Sequence, residues 1–245
     1  MADVAHLPDS VPVRLTCKDC SLAELCLPRG LSPDDMKRFE AIVDQRPAMV
    51  RGKTLYRTGD VFTGLYTVKS GSFKTTISAP DGEDQITGFY LPGELFGFDG
   101  FDDSHSCSAI SLEHSTVCEL PLSAIDQLMA NVPSLRRELD RLMAREITAD
   151  QSMLLQLSRR TAEQRLAAFL VSLSTRFRQR GFSPTEFTLS MSRHDIGNYL
   201  GVAAETVSRL FRRFSEQRLA SANGRTIIIH DFETLCHQLH FYERR

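Results

Sequence analysis

The 245-residue sequence predicts an α+β chain of four parts: a cysteine-bearing segment (1–30), an antiparallel β-roll region (31–132), a long helix (133–158) and a winged helix-turn-helix (159–245). Three observations predict it. Between 52 and 121, short alternating runs such as GLYTVKSGSFKTTI and DQITGFYLPGELFGF are separated by Gly, Pro and Asp, the texture of a compact antiparallel barrel or roll. From Pro133 an apolar pattern of helical period continues to Ser158. Near the C-terminus, helix, Gly201, helix and an Asn223-Gly224 hairpin follow one another, the plan of a helix-turn-helix with a trailing wing.

The leading segment holds Cys17, Cys20 and Cys26 in the run CKDCSLAELCLP. Asp3, Pro8 and Asp9 stand where a signal peptide would carry a basic start and an apolar run. No apolar stretch approaches the ~20 residues of a membrane helix, so no membrane partner and a cytoplasmic location are expected. In a reducing compartment six cysteines argue against a disulfide framework and for metal or redox chemistry. C-x2-C-x5-C leaves a site wanting a fourth ligand. Cys118, on the alternating run Ile110, Leu112, His114, Thr116, Cys118, Leu120, is the best candidate; His114 is a weaker rival, and Cys107 and Cys236 stand apart. A cysteine on an apolar strand face is also a common core residue. Thiolate chemistry leaves zinc and an iron–sulfur centre both open, since neither a second close pair nor a ferredoxin spacing is present.

Ser32, before Pro33, Asp34 and Asp35, caps a short helix with Met36, Phe39, Ile42 and Val43 on its apolar side. The long helix runs for roughly 26 residues, about 39 Å. Met143, Ile147, Asp150, Leu154 and Leu157 follow one another at alternating spacings of four and three, a coiled-coil seam. Leu135, Leu139 and Leu142 form a second stripe, expected to face the roll. Two apolar stripes imply two partners, the second being a copy of the chain across a two-fold axis. Asp150 on that seam would bring two carboxylates together, weakening the dimer while fixing its register.

Residues 159–180 read as an amphipathic helix through Leu166, Phe169, Leu170 and Leu173, broken by Gly181-Phe182-Ser183-Pro184 and followed by the strand EFTLSM. Ser192 and Asp195 are placed as a cap pair for the next helix, to Leu200. From Ala203 to Ser215, Val207, Leu210, Phe211 and Phe214 share one face, while Glu205, Ser208, Arg209 and Arg212 share the other. Arginine can bond guanine bidentately, a carboxylate can accept from cytosine, and serine can meet either edge. The net charge of −2 hides an asymmetry: residues 136–245 carry 18 arginines and no lysine against 12 acids, the footprint of a polyanion-binding half.

Enzyme signatures are absent. Arg51-Gly52-Lys53-Thr54 looks like the tail of a phosphate loop, but Pro47 stands where its first glycine belongs, and no G-x-S-x-G or H-E-x-x-H occurs.

The stretches CKDCSLAELCLP, DQITGFYLPGELFGFD, VCELP, LMAREITADQ, RGFSPTEFTLSMSRHDIGNYLG and AAETVSRLFRRF together resemble the FNR (ANR-type) branch of the CRP/FNR regulators over nearly the whole chain. The resemblance implies a cyclic-nucleotide-binding-like double-stranded roll. It implies a 4Fe–4S cluster held by Cys17, Cys20, Cys26 and Cys118, with oxygen controlling dimerisation. It further implies a Glu205, Ser208 and Arg209 triad reading double-stranded palindromic DNA with TTGAT-like half-sites, whether to activate or repress. Ser21 and Leu25 match positions that in the family tune oxygen attack, and Ala204 departs from a bulkier family residue. RNA polymerase contacts are expected at 80–84 and 182–186. Cyclic nucleotide is not expected, because residues 75–135 contain no lysine or arginine to hold its phosphate. A zinc- or thiol-based redox sensor with the same DNA domain is the alternative.

Overall fold

The structure, a computed structural model, describes residues 16–27, 31–78 and 82–240. Residues 1–15 of the predicted cysteine segment, and Pro80 and Asp81 of the expected polymerase contact, lie outside the described residues. Helix α1 (Pro33–Ile42) starts as its sequence dictates: the Ser32 hydroxyl accepts from the Asp35 N–H, Pro33 opens the first turn, and Asp34 and Asp35 face the positive helix end.

The alternating runs fold into two four-stranded sheets. One has the order β1 (Asp44–Gln45), β8 (Thr116–Pro121), β3 (Gly64–Ser70) and β6 (Leu95–Phe96). The other has the order β2 (Thr54–Tyr56), β7 (Ser108–Ser111), β4 (Phe73–Ser78) and β5 (Asp84–Tyr90). Tyr56, Tyr66, Val68, Phe73, Phe96, Ala109 and Val117 fill the interior between them. The expected continuous strand from Ile110 to Leu120 is two strands. The chain turns at 112–115, passes from one sheet to the other, and so breaks the alternation. In β8, Val117 and Glu119 are buried while Cys118 is partly covered on the opposite face. A core role for Cys118 in the roll interior is thereby corrected.

Helix α2 (Leu122–Asn131) leads into α3 (Pro133–Arg159), with Pro133 in its first turn. Leu135 and Leu139 are each 2% exposed and join Leu27, Phe39, Leu65, Leu95 and Leu120 in one apolar cluster, with Leu142 and Met143 partly buried beside it. That is the roll-facing stripe. Met143, the first residue of the expected seam, sits at its edge. Farther along α3, Ile147 is 58% and Leu154 70% exposed, with Leu157 also exposed.

Thr161 stops α3 and caps α4 (Ala162–Gln179) through a capping box with Gln164. Strand β9 (Glu186–Thr188) pairs with β11 (Thr226–Ile229), which pairs with β10 (Ala220–Asn223), so the wing is three-stranded. Helices α5 (Arg193–Leu200) and α6 (Ala204–Glu216) form the helix-turn-helix, and α7 (Phe232–His240) packs on α4. This domain lies against the roll. Ile86, Phe89, Leu91 and Leu112 of the roll share a core with Leu166, Leu170, Ile196, Val207 and Phe214.

Polar contacts fix the register of that junction. Lys74 Nζ meets Asp195 Oδ1 at 2.7 Å, and Asn198 accepts from the Ile86 N–H at 2.6 Å while donating to the Asp84 carbonyl at 2.6 Å. Burial would raise the Asp195 carboxyl, but Lys74 and the Ser192 donors outweigh it and hold it below the usual range.

Candidate metal centre and nucleic-acid interface

The structure brings all four predicted thiols to one pocket. Cys17, Cys20 and Cys26 come from a tight run of turns in which the Cys20 N–H bonds the Cys17 carbonyl and the Cys26 N–H bonds the Leu22 carbonyl. Cys118 comes from β8, flanked in register by Gln45 of β1 and Thr67 of β3. The pocket they line is otherwise largely apolar, walled by Leu22, Leu27, Phe39, Val43 and Leu95. Cys26 Sγ donates to Thr67 Oγ1 at 3.8 Å.

Burial pushes the Cys17 thiol up to about 11 and the Cys26 thiol up to about 12, and also raises Cys118. Lys69, tied to Gln45 at 2.8 Å, works in the opposite direction at Cys17 and Cys118. Such thiols stay protonated at neutral pH until a soft metal replaces the proton. Four sulfur donors in an apolar wall beside one lysine are the donor chemistry of an iron–sulfur cluster or of zinc. Among the described residues, no three Cys, His, Asp or Glu side chains form a group able to hold a single metal ion. Cys107 is buried in the roll interior, Cys236 lies on α7, and His114 is exposed and not part of the pocket wall. Ser21 is exposed, whereas Leu25 is half-buried.

At the other end, Val207, Phe211 and Phe214 of α6 are buried, and Glu205, Ser208, Arg209 and Arg212 stand exposed on the opposite face. Gly201 makes the turn between the helices in the left-handed region, at φ +63°, and Ser192 and Asp195 cap α5 reciprocally. Arg209 is steadied by the Thr206 hydroxyl at 3.0 Å, and Arg212 by Glu216 at 3.1 Å. Arg193 lies 4.0 Å over the Phe211 ring, bracing α5 against α6. The three expected base-reading side chains therefore share one solvent-facing surface, with the aromatic core behind it. Ala204 is half-buried at the start of α6.

The paucity of cations in 75–135 does not describe the space around Glu94. Arg176 and Arg180 reach it from α4, and both are occupied by its carboxylate.

The cyclic nucleotide-binding domain model matches residues 48–132, and the Crp-like helix-turn-helix domain model matches 164–238. The transcriptional activator protein Anr of Pseudomonas protegens is 50% identical over 93% of this chain and 96% of its own length. The Anr activator of Pseudomonas aeruginosa is 51% identical over 90% of this chain and 91% of its length. The fumarate and nitrate reduction regulatory protein of Escherichia coli is 44% identical over 89% and 88%. Among solved structures, FixK2 from Bradyrhizobium japonicum superposes with a TM-score of 0.74 at 27% identity, over 80% of this chain and 97% of that one. Identity at this level over nearly the full length, together with both domain matches, places the chain in the Anr/FNR branch of the CRP/FNR superfamily of DNA-binding transcription regulators.

Proposed function

We propose that the chain is a global anaerobic transcription regulator that senses oxygen through a 4Fe–4S cluster on Cys17, Cys20, Cys26 and Cys118, one per subunit, and acts in the cytoplasm. The observation that carries this reading is the meeting of Cys118 with three cysteines from a distant segment in one pocket. When bound, the cluster supplies an oxygen-labile centre; the residues supply everything that makes its state felt. Ligation at Cys118 ties the leading segment to β8. Leu27, next to Cys26, sits in the same apolar cluster as Leu135 and Leu139 of α3, so the segment packs against the start of the long helix.

In this reading the exposed Ile147, Leu154 and Leu157 pair with those of a second copy, and Asp150 opposes that pairing until the leading segment, tied to β8 through its cysteines, holds the start of the helix. Asp150 lies one turn from Glu146. Burial, and then the Asp150 charge, pushes the Glu146 carboxyl up although the Tyr90 hydroxyl donates to it at 2.6 Å. Like charges are thus already crowded on this flank before a partner arrives. Dimerisation sets two copies of Glu205, Ser208 and Arg209 about one DNA turn apart for a TTGAT-type palindrome. Cyclic nucleotide is not expected as the effector, because residues 75–135 carry no lysine or arginine and the two arginines that reach Glu94 are already paired with it. RNA polymerase is met on loops, including 182–186, where Phe182 is 60% exposed. The four-part division at 30, 132 and 158 follows these roles.

Gel-shift titration on a TTGAT palindrome tests the DNA half. Anaerobic protein is expected to bind at least about tenfold more tightly than air-exposed protein. Arg209→Ala is expected to lose about tenfold or more of specific affinity, the worth of one bidentate base contact. Air-insensitive binding would instead support a constitutive DNA binder.

A further inference from the structure

One turn of the roll touches the cysteine segment on one side and the DNA-binding domain on the other. The sequence Leu91-Pro92-Gly93-Glu94-Leu95 makes it, with Gly93 in the left-handed region at φ +87°. A Cβ placed on Gly93 would stand 2.9 Å from the Leu25 Cβ and 3.9 Å from the Leu22 Cβ. Leu25 therefore packs directly on the Gly93 backbone, where any larger residue would collide with it. The turn is also laced to β3: the Gly93 N–H donates to the Val68 carbonyl at 2.8 Å, and the Val68 N–H donates to the Glu94 carbonyl at 3.0 Å. Val68 follows Thr67, the residue that meets Cys26 and pairs with Cys118.

The next residue along faces the other way. Glu94 accepts from Arg176 Nε at 2.8 Å, from Arg180 Nη2 at 2.6 Å, and from Arg176 Nη2. The same two guanidiniums reach backbone on the turn's flank. Arg176 Nη2 donates to the Phe89 carbonyl at 2.6 Å, and Arg180 Nε donates to the Pro92 carbonyl at 2.7 Å. The two arginines sit one turn apart near the end of α4, and the Arg180 side chain is 3% exposed. Pulling α4 from the turn would strand buried guanidinium charge, so the helix must follow the carboxylate. Other polar links between roll and DNA domain, Lys74 with Asp195, Ser72 with Ser190 and Asn198 with β5, do not involve the cysteine segment.

We propose that the turn 91–95 transmits the state of the cysteine segment directly to the DNA-binding domain, with Glu94 as the positioning residue that makes α4 follow the turn. The proposal rests on the four-thiol pocket being the sensor, and it adds a second route beside the dimer seam. A shift of Leu22 and Leu25 moves Gly93; Glu94 carries that shift to Arg176 and Arg180; α4 then reorients α5 and α6, which pack on it.

Coupling can be read without iron, by amide hydrogen exchange on the full-length apo protein. Leu25→Ala is expected to speed exchange at residues 173–180 by about threefold or more, as is Glu94→Gln. The double variant should exchange there no faster than Glu94→Gln alone. Additive effects, or a Leu25→Ala effect that stops at the turn, would overturn the relay. Should Glu94→Gln fail to fold, Arg180→Gln breaks the same link and takes its place in the cycle. In anaerobically loaded protein, Glu94→Gln should keep wild-type iron content and dimerisation while its ratio of anaerobic to aerated DNA affinity falls about threefold or more below the wild-type ratio, the seam route supplying what remains. A retained wild-type ratio contradicts the proposal. If the wild type takes up no iron, the sensor reading fails by itself, and the exchange cycle still decides whether turn and helix are coupled.

Discussion

Replacing Cys118 with alanine is expected to remove the iron from anaerobically prepared protein and to lower palindrome affinity by about 100-fold or more, toward the non-specific level. Loss of Cys118 leaves one iron of a four-iron core without a protein thiolate and open to solvent, and the tie between the leading cysteine run and β8 is lost with it. The fold itself should survive: Cys118 is partly exposed on β8, and the roll interior is packed by other residues. Iron analysis and gel shift on the same sample check the result, with Cys236→Ser as the cysteine control. Iron and affinity unchanged in the alanine variant would mean that the pocket is not the sensor.

Replacing Asp150 with alanine should act in the opposite direction and yield dimers in air. Removal of two like charges from the seam is expected to tighten self-association by about tenfold to a hundredfold, measured by sedimentation of aerated protein. The substitution also relieves Glu146, whose carboxyl Asp150 pushes up. The exposed Ile147 and Leu154 supply the apolar surface that would then be covered. A variant that remains monomeric in air at concentrations where the anaerobic wild type is dimeric removes Asp150 from the switch.

What could be read from the sequence was what local chemistry controls. Ser32 and Ser192 mark their helices because a hydroxyl cap works within three residues, and the split faces of α6 follow from helical period alone. Residue type nominates Cys118, but the single strand that alternation predicts around it is two strands, Ser108–Ser111 and Thr116–Pro121. Apolar alternation continued across the turn at 112–115, where the chain changes sheets, and period cannot reveal a change of sheet. Strand β1, only two residues long, is too short for a period to show. The clamp at Glu94 was invisible for a different reason. Its arginines lie more than eighty positions away, so a window that counted cations near GELF found none. The capping box at Thr161 and Gln164 starts α4 at Ala162, three residues later than the helical pattern from 159 predicts.

The metal content of wild-type protein purified without oxygen tests the central claim most directly. About four irons and four acid-labile sulfides per chain, with a brown absorbance that bleaches in air, are the result expected of a four-thiolate cluster. One zinc per chain, no colour and no change on aeration would contradict it and establish the thiol pocket as a zinc or redox-thiol site instead.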